Sequence, residues 1–480
     1  MFRIVRCSLR NRRPCSFVSR LELVPVIAGL LGLMLLALPS SAASVGRGPG
    51  VGRAAMGSAA PAAGDLWPTF GHDAAHSGLS SDASITASAA SGLTKRWSAS
   101  LGNIAEASPA VAYSATLDET IAYDVTQTGV ASAFNASTGA LVWHHSVGEM
   151  VESSPSVYNG TVYFGTASGT LEALNASTGA VECTFTLPVV APAPGPGRLI
   201  SSPVVGDVDG SGPTVFIGDA GTGGTNEGLN GGHFWAITGV GNTVGGCRQK
   251  WVYDNWSDKG TGTQTGVWDE PALAQNTHGQ WEVVFGTSNP DQSVYALNAV
   301  SGSRLWRFHT ENNGADEDVG AGPTIGLPSA NGFADGVVYI DGKDGIEYAL
   351  DLLTGKKIWQ FTLGAGSADT DGIAEAALSG NTLVVCYANK LFALKARTGA
   401  VIWKTTAGAR IVASPAVSGP SRHQVVFVGE LNGTEHGLKL QNGVQVFTAA
   451  TTGKLKASAT VADGMLYFTN SGKFYAYAPP

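Results

Sequence analysis

The feature that most constrains this chain is a unit of four short strands that recurs from end to end. Each copy holds Ser-Pro and an apolar residue, an apolar strand ending in Gly, an Ala-Leu strand, a Thr-Gly or Asn-Gly turn, and an aromatic residue four positions later. Its clearest copy runs Ser154-Pro155, Thr161-Val162-Tyr163-Phe164-Gly165, Leu171-Glu172-Ala173-Leu174 and Thr178-Gly179. Alternating apolar residues suit half-buried strands, Gly supplies the positive φ of a tight hairpin, and Pro stands where no ladder donor is needed. The turn glycines Gly139, Gly179, Gly302, Gly355, Gly399 and Gly443 precede Trp143, Cys183, Trp306, Trp359, Trp403 and Phe447, and Trp251 fills the same role in a longer unit. Neighbours in that series lie 40, 68, 55, 53, 44 and 44 residues apart, against roughly 40 to 50 for a four-stranded propeller blade before insertions.

An eighth unit is split between the ends. Lys95-Arg96-Trp97 lacks three strands of its own, whereas the stretch 459–478 supplies strands and stops without the last one. Joining them completes a blade and removes exposed sheet edges. The expected fold is therefore all-β: an eight-bladed β-propeller of four-stranded antiparallel blades, closed by N- and C-terminal strands sharing the last blade. The tryptophans need no ligand, because aromatic wedges between blades explain them.

Composition agrees. The chain has 64 Gly in 480 residues and 14% charged residues, which fits many tight turns serving buried strands. Repeat architectures grow around an axis, so this length does not demand several cores.

Residues 1–42 are expected to be a signal peptide. Six arginines precede the apolar run Leu23 to Leu38, and Ser40, Ser41 and Ala42 offer a small-residue cleavage site. That run is short for an anchor, so no stable membrane span is expected after cleavage. Arg12-Arg13 hints at twin-arginine export, but Pro14-Cys15 fits that pattern poorly. Cleavage leaves 23 basic against 36 acidic residues, which argues against nucleic acid as a partner. Residues 43–64, rich in Gly, Ala, Ser and Pro, form a flexible linker, and 65–480 the propeller. The mature protein is thus secreted or periplasmic. In such a compartment Cys183 and Cys247 can pair or remain free, with Cys386 as a buried thiol. No Cys-x-x-Cys-His site for attached haem occurs.

The segment Asp65-Leu66-Trp67-Pro68-Thr69-Phe70-Gly71-His72-Asp73, the Ala-Leu-Asn-Ala-x-Thr-Gly-x-x-x-Trp units and the blade count together resemble the pyrroloquinoline quinone (PQQ) dehydrogenases, within them the polyvinyl-alcohol dehydrogenase-like proteins, over residues 65–480. Five local matches carry this further. The stretch from Gly218 through Asn226-Glu227-Gly228 to Gly231 is similar to the segment with a calcium-ligating glutamate, with Asn230 where an arginine is usual. Thr265-Gly266-Val267-Trp268-Asp269-Glu270-Pro271 resembles the segment whose tryptophan lies beneath the quinone. Phe285-Gly286-Thr287-Ser288-Asn289-Pro290 looks like a calcium-binding Gly-Thr-Gly-Asn-Pro turn, with Ser288 in place of glycine. Asp316-Glu317-Asp318 ahead of Pro323 matches the catalytic-aspartate stretch, and the count back from the proline favours Asp316. Asp341-Gly342-Lys343-Asp344-Gly345 resembles the segment whose basic residue meets the quinone carbonyls, which makes Lys343 the match.

This resemblance implies an alcohol dehydrogenase. Calcium would be held by Glu227, Asn289 and Asp316, PQQ by Glu227, Asn230, Trp268, Asn289 and Lys343, and Asp316 would be the general base. Its substrate would be an alcohol-type small molecule or polymer, with a separate electron acceptor. The vicinal cysteine pair of many relatives is absent. The alternative is a non-catalytic propeller scaffold for binding or envelope-protein assembly. Apart from this site, Asp207-Val208-Asp209-Gly210-Ser211-Gly212 reads either as a structural calcium loop with Asp207 and Asp209 as ligands or as a plain Asp-Gly hairpin. His72, His76, His144 and His145 are expected to be solvated.

Overall fold

Five-residue apolar stretches such as Thr161–Gly165, Thr214–Gly218 and Val425–Gly429 are buried along their whole length, as strands covered on both faces must be. The outermost strands, among them Val181–Thr186, Lys357–Thr362 and Val401–Thr406, alternate exposed and half-buried residues. This gradient from sealed interior to wet rim is that of a blade.

The computed structural model describes residues 65–189, 196–221, 232–255, 265–311, 318–329, 332–366 and 372–480. Among the described residues, eight four-stranded sheets form and each pairs neighbouring strands in antiparallel order. We number the blades along the chain. Blades 1 to 7 begin with the inner strands Ala110–Ser114, Ser156–Tyr158, Val204–Gly206, Ala272–Gln275, Thr324–Gly326, Ala377–Ser379 and Ala416–Ser418. Blade 8 combines Thr460–Ala462, Met465–Thr469 and Lys473–Ala478 with the early strand Thr94–Ser100, which pairs antiparallel with Lys473–Ala478. The expected closure is present. A single helical turn, Ala87–Ala90, precedes the first strand and is capped by the Thr86 side chain.

Each recurring tryptophan does more than fill space. Trp143 Nε1 donates to Ala176 O in the next blade at 2.9 Å, Trp306 Nε1 to Leu352 O at 2.7 Å, and Trp359 Nε1 to Ala396 O at 2.9 Å. Its ring meanwhile lies against the turn glycine of that blade: a Cβ on Gly355 would come within 2.5 Å of Trp306 Cε3. The glycine is required twice, for its φ of 67° and for its bareness. Blade 2 departs from this scheme. Cys183 stands in the tryptophan position and is bonded to Cys247 of blade 3, with Cα atoms 5.9 Å apart, so a covalent link replaces the indole latch. Cys386 is a buried free thiol.

A strap of residues 65–82 runs along the inner strands. Its backbone oxygens accept hydrogen bonds from N–H groups in seven blades, including Trp67 O from Val111, Pro68 O from Val157, Ala74 O from Leu273 and Gly78 O from Val417, all at 2.6 to 2.8 Å. His72 and His76, expected to be solvated, are buried instead. The strap carries them inside, where carboxylates receive them: His72 Nε2 lies 3.1 Å from Asp65 and His76 Nδ1 3.0 Å from Glu375.

Candidate functional site

Four loops meet at one end of the axis. Trp268 and Asp318 precede the inner strands of blades 4 and 5. Asn289 and Lys343 follow the second strands Trp281–Gly286 and Val337–Asp341, which run antiparallel to those inner strands, so all four residues reach the same face. Asp318 joins them. Its Oδ1 accepts from the Asn289 N–H at 2.6 Å and its Oδ2 from Lys343 Nζ at 2.8 Å. Its backbone oxygen also accepts from the Lys343 N–H at 3.0 Å. Lys343 Nζ lies 5.6 Å from the Trp268 ring centroid, within cation–π reach.

The platform is braced from below and from the side. Trp268 packs over Gly320, where any side chain would collide with the indole. Ser288, at a position where the family resemblance implied glycine, has a clear role: its Oγ accepts from the Gly266 N–H at 2.8 Å, and its own N–H donates to Gly266 O at 2.9 Å. The Trp268 segment is thereby tied to the Asn289 turn, whose Asn289-Pro290 bond is cis. Trp268 Nε1 is buried with no hydrogen-bond partner. A half-buried indole, an ammonium group beside its face and an unused buried donor suit a flat, electron-poor ring. These residues fit the quinone part of the expected cofactor.

Glu227, Asn230 and Asp316 lie outside the described residues. Among the described residues no group of three or more His, Cys, Asp or Glu side chains is arranged to hold a metal ion. Asp207 and Asp209 lie on the turn after an inner strand, at the opposite end of the axis from Trp268. Asp207 Oδ1 accepts from the Gly210 N–H at 2.8 Å, and Asp209 Oδ2 pairs with Lys250 Nζ at 2.8 Å. The Lys250 bond holds the Asp209 carboxyl down at about 2.

Between platform and strap lies a ring absent from the sequence reading. Ser108, Ser154, Ser202, Ser414 and Ser458 immediately precede the inner-strand segments of five blades, and backbone N–H groups donate to their hydroxyls from blade to blade: Ser458 to Ser108, Ser108 to Ser154, Ser154 to Ser202, Glu375 to Ser414 and Ser414 to Ser458, at 2.8 to 3.0 Å. Blades 4, 5 and 6 put Glu270, Gly322 and Glu375 at this position. Ser202 Oγ donates to Glu270 Oε1 at 3.3 Å. Gly322 leaves the room that Glu375 occupies, since a Cβ there would overlap Glu375 Oε1. The signal was available: the Ser-Pro column of the repeat reads Glu270-Pro271, Gly322-Pro323 and Glu375-Ala376 in those blades.

A ring of eight four-stranded sheets is the architecture of a PQQ-like β-propeller, and the chain belongs to that family. The matching family model, described as outer membrane protein assembly factor BamB, covers residues 81–238, 268–370 and 342–422. A curated relative, the outer membrane protein assembly factor BamB of Yersinia pestis, is 24% identical over 372 residues, which span 73% of this chain and 80% of the relative. The quinohemoprotein alcohol dehydrogenase of Comamonas testosteroni superposes with a TM-score of 0.69 at 16% identity, covering 86% of this chain and 80% of that structure. A europium-containing methanol dehydrogenase gives 0.71 at 14% identity, covering 86% and 98%. At such identities the structural likeness establishes the fold.

Proposed function

We propose that this protein is an exported quinoprotein-type dehydrogenase that oxidises alcohol groups, with calcium-bound PQQ at the Trp268 end of the axis. One observation carries the reading: Trp268, Asn289, Asp318 and Lys343 come from four separate loops and converge there. When bound, the cofactor supplies the hydride acceptor. Trp268 would seat its flat face, and Lys343 would be the hydrogen-bond donor to its carbonyl groups. Asn289, with Glu227 and Asp316, would supply oxygen ligands to calcium, and Asn230 is assigned to cofactor binding with them. Asp316 removes the alcohol proton, while Asp318 fixes the Lys343 ammonium through its 2.8 Å ion pair. Turnover would need a separate electron acceptor. Residues 1–42 direct export to the periplasm or beyond, and 43–64 tether residues 65–480.

The test is titration of the purified protein with PQQ and calcium, followed by Trp fluorescence and dye-coupled oxidation of alcohols. Saturable quenching that disappears in Trp268→Leu supports the proposal, and absence of any uptake by the wild type refutes it. A second reading, a protein-binding scaffold in envelope assembly, is favoured by the BamB family match. Its support would come from exposed apolar residues at the start of outer strands, Leu141, Val181 and Val401, if they pair with an envelope protein while Trp268→Leu leaves that binding intact.

A further inference from the structure

We propose that His76, Glu270 and Glu375 form a proton-operated lock that holds the N-terminal strap in the propeller axis. This lock is independent of any cofactor. The strap is otherwise tied mainly by backbone hydrogen bonds, joined by the Asp82 carboxylate, which accepts from the Gly464 N–H of blade 8. At its centre His76, 1% exposed, meets Glu375 of blade 6, 299 residues away in sequence, at 3.0 Å. Gly322 of blade 5 makes the space and Glu270 of blade 4 flanks it, so three successive interruptions of the serine ring serve one histidine.

The cluster is neutral where it is stable. Burial holds His76 down at about 4 and pushes Glu375 well above the usual carboxyl range, and burial together with Glu375 raises Glu270 to about 8. The other charged groups facing it are acidic in blades 4 and 5 and mixed on the strap. Asp269 acts on it from blade 4, Asp341 from blade 5 and Asp73 from the strap itself. Blades 3 and 7 contribute the hydroxyls of Ser202 and Ser414. The nearby cation, His72, is held up at about 9 by burial-offsetting bonds to Asp65 and Asp73, so it too loses its charge in alkali. Because Glu270 binds its proton more tightly in the closed state than an exposed glutamate does, closure is favoured at low pH. That preference fades as pH rises from the ordinary carboxyl range through about 8. Ionised Glu270 then lies among the carboxyl groups of Glu375 and Asp269, and the strap is released.

Hydrogen exchange of the full-length exported protein at about pH 6 and about pH 9, corrected for intrinsic rates, reads this event. Strap amides within 65–82 are expected to lose protection about tenfold more than second-strand amides such as those of Val425–Gly429. Glu270→Gln should keep the strap protected at the higher pH, and His76→Gln should loosen it at both. Equal strap protection at the two pH values, or a Glu270→Gln protein that opens like the wild type, overturns the proposal. Limited proteolysis of the unsubstituted protein over the same range needs no variant to fold. Cleavage confined to 65–82 and rising with pH supports the lock, and cleavage independent of pH overturns it.

Discussion

At the scale of single residues, the turn glycines separate two costs that are usually entangled. Gly355 has φ 67° and lies beneath Trp306, whereas Gly380 has φ 55° with open space around its missing Cβ. Gly380→Ala should therefore cost only the left-handed strain, about 1–2 kcal/mol, while Gly355→Ala adds overpacking of about 1–3 kcal/mol. Urea unfolding of the two variants checks the difference, and equal losses would mean that the indole contact contributes nothing. Trp306→Phe removes the donor to Leu352 O and should cost about 1–3 kcal/mol through the carbonyl left unpaired. Sequence spacing exposed the glycine–tryptophan rhythm because both residues are chemically distinctive. It hid the partner of each indole N–H, a backbone oxygen that any residue supplies. Asp318 was passed over for a similar reason: a count to Pro323 cannot tell which of the three successive carboxylates Asp316, Glu317 and Asp318 will pair with Lys343.

Elements show how an exception is repaired. In every blade the ladder to the outermost strand shifts register at one bulge, as between Ala133 and Phe134 or Ala349 and Leu350, and such bulges twist an exposed edge away from further pairing. Blade 2 keeps the bulge, between Ala173 and Leu174, but has no indole to latch blade 3. The Cys183–Cys247 bond, spanning 64 residues, takes over. Reducing it, or replacing both cysteines by alanine, should lower stability by about 2–4 kcal/mol. Hydrogen exchange should then rise first in the outer strands Val181–Thr186 and Gln249–Tyr253. A uniform rise over all blades would show that the link does not act locally. The cysteine in the tryptophan column was visible in the sequence, but whether it paired was not, because pairing depends on how far the long blade 3 insertion folds back.

For the whole molecule, the main consequence is a stability curve tilted toward acid. Asp124, Asp341, Glu347 and Glu435 are buried, carry carboxyl oxygens without hydrogen-bond partners, and are all raised well above the ordinary carboxyl range by desolvation, as is Glu375. Each group binds a proton more tightly folded than unfolded, so its contribution is complete below the ordinary carboxyl value and is lost as pH rises through the folded one. His76 opposes them. Held down at about 4, it favours the folded state above its ordinary value and withdraws that support as pH falls from 6.5 toward 4. Several carboxyls outweigh one imidazole, so the melting temperature should be highest in mildly acidic buffer and decline steadily toward about pH 9. Glu435→Gln in blade 7, distant in sequence from both strap and platform, should flatten that decline without altering strap exchange. A melting temperature that climbs from mildly acidic to alkaline buffer would mean that these carboxyls are ionised in the folded ring, with cations or water reaching them along the axis.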